Sequence, residues 1–165
     1  MGDPVMINFH DLYTQHAGDI YCFALFLSGD TAQAADITAE TFARVLTTDT
    51  PLAEATVKGY LLTTARNLFI ETQRRGRKHA TLTPELPDPR PQLEDVVSQR
   101  SELDAVRNHM QGFPEVDRTA LLLCAHGFSY DEIAQTLSIS LASAKVKVHR
   151  LRLKLAEWRA NRDSS

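Results

Sequence analysis

The chain has 165 residues, is 43% hydrophobic and 24% charged, and carries a net charge of −3. That is the composition of one globular domain or two small ones, and no apolar run approaches the ~20 residues a membrane span needs. The net charge hides segregation. Residues 1–50 hold seven acids and one base, 51–80 six bases and two acids, 81–120 eight acids and four bases, and 121–165 seven bases and four acids. Two separate basic stretches suggest two contacts with nucleic acid, leaving the acidic surfaces to other partners.

Helical periodicity runs through most of the chain, and strand patterns are nearly absent. Phe9, Leu12, Tyr13, His16, Ile20, Phe23, Ala24 and Leu27 follow i, i+3, i+4 spacing and predict a first long helix, ended by Gly29. Asp30 or Thr31 can cap a second helix over about residues 32–46, with Ala35, Ile37, Thr41, Phe42 and Val45 inward. Asp36 and Glu40 are four apart and share its exposed face, which alone reads equally well as a solvated acidic surface.

Pro51 marks a break. A third helix is expected over about residues 57–75, with Tyr60, Leu61, Ala65, Leu68 and Phe69 buried. The basic cluster from Arg74 through Lys78 runs off its end, and Arg66 and Asn67 lie one to two turns earlier. Cations beside aromatic rings can hold a nucleic-acid backbone and stack unpaired bases. A charged helix end over core aromatics explains the same residues.

Residues 79–97 read as an extended acidic linker, because Pro84, Pro87, Pro89 and Pro91 forbid regular helix. The domain boundary is placed there, with an N-terminal domain over residues 1–78 and a C-terminal one over 98–165. The linker suits threading along a basic channel or serves as a spacer.

A fourth helix is expected over residues 98–110 with Leu103, Val106 and Met110 inward, then a break at Phe113-Pro114. A fifth covers about residues 115–126 and is closed by Gly127. Ser129 and Glu132 form a capping box at the start of a short helix whose inner face is Ile133, Ala134 and Leu137. Ser138 and Ile139 make a tight turn, and Ser140 caps a last helix with a stripe at Ala144, Val148, Leu151, Leu155 and Trp158. Taking about 100° per residue, Lys145 and Arg152 flank one side of that stripe and Lys147 and Lys154 the other. The outermost face carries Ala142, Val146, His149, Arg150 and Leu153. Flanking cations meet phosphates and the tip meets base edges when such a helix lies in a major groove. A solvated basic face on a structural helix is the plainer alternative. The fold class is therefore all-α: two small helical domains joined by an extended linker, the C-terminal one with a helix-turn-helix.

No catalytic constellation appears. The six histidines are scattered, Cys124 and His126 are poorly placed as co-ligands, and there is no phosphate loop or nucleophile elbow. No enzyme activity, cofactor or metal is expected. Cys22 and Cys124 sit in apolar runs and read as buried reduced thiols of a cytoplasmic protein.

Four segments in this order resemble those of a known family. These are Phe9 through His16, Ala34 through Val45, Tyr60 through Glu71, and Tyr130 through Arg150. The chain is similar to the extracytoplasmic-function class of bacterial RNA polymerase sigma factors, over about residues 9–156. The resemblance implies that Asp36 and Glu40 dock on the coiled coil of the polymerase beta-prime subunit. It implies that Tyr60, Arg66, Asn67, Arg74 and Arg75 recognise and hold the minus-ten promoter element. Ser143, Lys145, Val146, Lys147, His149 and Arg150 would read the minus-thirty-five element. The implied partners are core RNA polymerase (beta-prime and beta subunits), promoter DNA and an anti-sigma factor, with no membrane insertion. Ending at residue 165, the chain is expected to be a short, unfused variant.

The chain also departs from that pattern. Gln33, Ala35 and Ala39 are neutral where the polymerase-binding helix usually carries more acids; phosphorylation of Thr38, as a hypothesis, would add the missing charge. Tyr60 stands for a common tryptophan, Glu71 for an aspartate, Ser138 for the turn glycine and Val146 for a small polar residue. Val146 can touch a thymine methyl, which points to an unusual promoter. The competing reading is a helix-turn-helix transcriptional regulator with an N-terminal sensor or dimerisation domain, though such a domain has no need of the basic stretch at Arg74–Lys78.

Overall fold

The structure, a computed structural model, describes residues 8–48, 54–78 and 97–165. Those residues form seven helices and no strand. They are α1 (Phe9–Ser28), α2 (Thr31–Leu46), α3 (Glu54–Lys78), α4 (Val97–Met110), α5 (Glu115–Ala125), α6 (Tyr130–Leu137) and α7 (Leu141–Asp163). The chain divides into two compact units, Met1–Val96 and Val97–Ser165. The linker expected over 79–97 lies outside the described residues, apart from Val97, which opens α4.

In the first unit α1, α2 and α3 pack on one another. Local chemistry sets their ends. The Asn8 side chain accepts from the His10 N–H at 3.0 Å and starts α1. Gly29 adopts φ 71° and returns its N–H to the Leu25 carbonyl, a left-handed stop that suits a residue without Cβ. Asp30 then caps α2 by accepting from Ala32 and Gln33. The core is Ile20, Phe23 and Leu27 of α1 with Phe42 of α2 and Leu61, Leu62 and Phe69 of α3. Each such burial contributes about 1.5–3 kcal/mol.

Side chains off that core stripe depart from expectation. Phe9 and Tyr13 are exposed at the start of α1, where their rings meet each other and the Phe42 ring. Ala34 and Thr38 are buried on α2, whereas Ala35 is only half-buried. The inner stripe of α2 is thus Ala34, Ile37, Thr38, Thr41 and Phe42. The helix α3 continues through Gly76 to Lys78, so the basic cluster belongs to the helix rather than running off it.

The second unit is built on α7. Helices α5 and α6 pack against it and against each other. Leu123, Ile133, Ala144, Val148 and Leu151 form its centre. Leu103 is exposed, contrary to its spacing, and of the apolar residues expected inward on α4 only Met110 is buried. His109 lies flat on the Trp158 indole, with centroids 4.5 Å apart and planes 10° from parallel. Arg162 covers the indole and Lys154 covers Phe113, so cations and rings alternate along this flank of α7.

The cysteines do not behave as a buried pair. Cys22 is exposed and Cys124 half-buried, and both are free. Cys22 falls off the α1 stripe of Ile20, Phe23, Ala24 and Leu27, so an apolar neighbourhood in sequence did not become burial. No helix of the described residues is long and apolar enough to cross a membrane.

Candidate nucleic-acid and polymerase interfaces

The helix-turn-helix is held by its caps. Ser129 Oγ accepts from the Glu132 N–H at 3.1 Å, and Glu132 Oε1 accepts from the Ser129 N–H at 3.0 Å. Those bonds, the backbone N–H foremost, hold the Glu132 carboxyl below its usual range. Ser138 takes the left-handed conformation, φ 55° and ψ 45°, and its N–H reaches the Ala134 and Gln135 carbonyls. Ser140 Oγ accepts from the Ser143 N–H at 3.0 Å and starts α7.

With Ala144, Val148 and Leu151 fully buried, the roll of α7 is fixed and its other side must face out. Lys145, His149 and Arg150 are exposed, and Val146 is 45% exposed. Leu141 and Leu153 add exposed apolar surface on the same helix. Ser143 is half-buried, with its N–H spent on the cap. Lys147 stands apart from its expected companions. It is 30% exposed, and its Nζ lies 3.0 Å from Asp117 Oδ1 on α5. Arg152 donates to Cys124 Sγ at 3.2 Å. Neither Asp117 nor Cys124 was foreseen as a partner, since each lies about thirty residues away and no local spacing signals it.

The α3 residues sort into two groups. At about 100° per residue, Arg66, Asn67 and Arg74 share the face opposite Leu61 and Ala65. Asn67 and Arg74 are exposed and Arg66 is half-buried. Arg75 is exposed on a different flank. Tyr60 is half-buried and its phenol shares a 3.2 Å hydrogen bond with the Thr48 hydroxyl at the end of α2. The Arg77 and Lys78 side chains lie outside the described residues.

On α2, Asp36 and Glu40 are both exposed. Arg44 approaches Glu40 at 3.6 Å and Glu71 of α3 at 3.3 Å. Thr38 between them is buried, and its hydroxyl donates to the Ala34 carbonyl at 2.7 Å. A kinase cannot reach that hydroxyl without unfolding the helix, so phosphorylation of Thr38 is not supported. A buried cation was also missed: Arg118 is 7% exposed and donates to the Phe113 carbonyl, and burial lowers its basicity. Among the described residues no three His, Cys, Asp or Glu side chains gather as metal ligands.

Comparison with known proteins agrees with this geometry. The family model described as "Sigma-70 region 2" matches residues 12–79, and "Sigma-70, region 4" matches residues 103–155. The chain belongs to the sigma-70 family, in its extracytoplasmic-function class. It is 33% identical over 168 residues to the ECF RNA polymerase sigma factor SigE of Mycolicibacterium smegmatis, matching 96% of this chain and 64% of that protein. It is 28% identical to the ECF RNA polymerase sigma factor SigM of Bacillus subtilis, over 88% of this chain and 91% of the relative. The fold is shared with the sigma factor RpoE of Bartonella quintana, solved in complex with the anti-sigma factor NepR. The TM-score there is 0.62 at 22% identity, covering 90% of this chain and 94% of that one.

Proposed function

We propose that this chain binds core RNA polymerase and directs promoter-specific initiation of transcription. The exposed carboxylates of Asp36 and Glu40 form the polymerase-docking face. Arg66, Asn67, Arg74 and Arg75, with Tyr60 behind them, hold the minus-ten element. The outward face of α7 reads the minus-thirty-five element. The domains follow as residues 1–78, a linker at 79–97, and 98–165. The protein acts in the cytoplasm as a regulator rather than an enzyme, under an anti-sigma factor of the kind that the Bartonella quintana sigma factor binds.

One observation carries this reading. The outward residues of α7 are exposed on a helix whose roll is locked by three buried ones, Ala144, Val148 and Leu151. Such a face supports a recognition helix on which the cations meet phosphates and Val146 and His149 meet base edges. The rival reading, a regulator with an N-terminal sensor domain, loses its ground because residues 12–79 match region 2 of the same family.

The test is reconstitution. The purified chain is added to core polymerase, and transcripts are mapped from genomic fragments. Promoter-dependent starts are expected. An active core that gains no specific start on adding this chain overturns the reading.

A further inference from the structure

The cations of α7 are not equivalent. Lys145 and Arg150 are exposed and form no ion pair among the described residues. Lys147 differs on each count. Its Nζ meets Asp117 Oδ1 at 3.0 Å, and the two side chains are only 30% and 22% exposed. Asp117 itself sits in the first turn of α5, where the helix dipole favours a negative charge. A pair this sheltered is screened less than a surface pair.

We propose that Asp117 is a positioning residue for DNA recognition. It fastens Lys147 to α5, reinforces from the side opposite Lys145 the roll that the buried stripe of α7 sets, and removes Lys147 from the set of phosphate contacts. This rests on the reading of α7 as the promoter-reading helix.

A phosphate that captured the Lys147 ammonium would replace one anion by another. It would also leave the Asp117 carboxylate sheltered, unpaired and facing a polyanion. Removing one partner of such a pair costs more than the pair itself contributes. The exchange therefore yields little binding, and the ammonium stays with Asp117 when DNA docks. Lys145 faces no such competition, so its ammonium goes to a phosphate and releases a counterion. The DNA-facing set loses Lys147 and keeps the half-buried Ser143 with Lys145, Val146, His149 and Arg150. Lys147 acts through the helix it pins.

The experiment uses the full chain assembled on core RNA polymerase. Its probe is a duplex selected by the wild-type assembly from a randomised pool. Affinity is measured against salt concentration. The slope of log K on log salt falls by about 0.9 for each lost phosphate contact. Lys145→Gln is expected to lose that much slope, and Lys147→Gln to keep the wild-type slope while lowering the melting temperature of the chain. Asp117→Asn frees the ammonium. It is expected to steepen the slope by up to about 0.9 and to tighten binding roughly fivefold near physiological salt, while also lowering the melting temperature. A purely structural role for Asp117 would lower the melting temperature without steepening the slope, and that result overturns the proposal. So does a Lys147→Gln slope that falls as the Lys145→Gln slope does; promoter reading by α7 then survives. If the wild-type assembly selects no duplex at all, the reading of the chain as a sigma factor falls, and the proposal with it.

Discussion

Ser129 and Glu132 cap each other, each side chain accepting the other's backbone N–H at 3.0–3.1 Å. The bond from the Ser129 N–H is charge-assisted only while Glu132 is ionised. Glu132 is held below its usual pKa in the folded state. Its contribution to stability is therefore full above the unfolded carboxyl range, and is lost as pH falls through the folded value. Glu132→Gln should flatten part of the acid dependence of melting. The check is melting temperature from neutral pH to about pH 3, wild type against variant. Parallel curves would contradict this role.

The left-handed Ser138 gives a second expectation. Glycine adopts φ 55° without the Cβ clash that serine bears. Ser138→Gly should raise stability by about 0.5–1 kcal/mol, and Ser138→Val should lower it by more. Thermal denaturation of both variants decides the matter.

Thr38 tests the buried side of α2. Thr38→Val keeps the shape and removes a hydroxyl bonded only to the Ala34 carbonyl, so it should shift stability by less than about 1 kcal/mol. Thr38→Asp places a charge in the core and should cost roughly 3 kcal/mol or more. Binding to core polymerase should fall with the folded fraction. Enhanced binding by Thr38→Asp would restore the phosphorylation idea.

The two interfaces should separate. Arg150→Ala should abolish promoter-dependent transcripts and leave core binding intact, since Arg150 lies on the exposed face of α7. Asp36→Ala should weaken core binding, measured by co-elution with core polymerase, and leave the melting temperature unchanged. A loss of core binding in Arg150→Ala would contradict this division.

Much of this architecture was legible in the sequence because its signals are local. Gly29, Asp30, Ser129, Glu132 and Ser140 act within one turn of their own positions, and each became the cap its residue type suggested. The stripe of α7 was legible because Ala144, Val148 and Leu151 repeat on one face. The misses are tertiary. Thr38 and Arg118 are polar types buried by neighbours that no spacing reveals. Leu103 is apolar but finds no cover. Tyr60 read as a core residue, yet its hydroxyl bond to Thr48 fixes it at the end of α2. Lys147 read as a phosphate contact because its partner lies on another helix.

The stack of Trp158 on His109 has a practical consequence. Trp158 is the sole tryptophan of the chain, and it sits where α4 meets α7. Indole emission excited at the red edge therefore originates in the helix-turn-helix unit alone. Whatever displaces α4 from α7 should change its intensity or colour, while the three-helix unit stays dark. The molecule thus carries a native optical label, and titrations can follow one half of it without any dye.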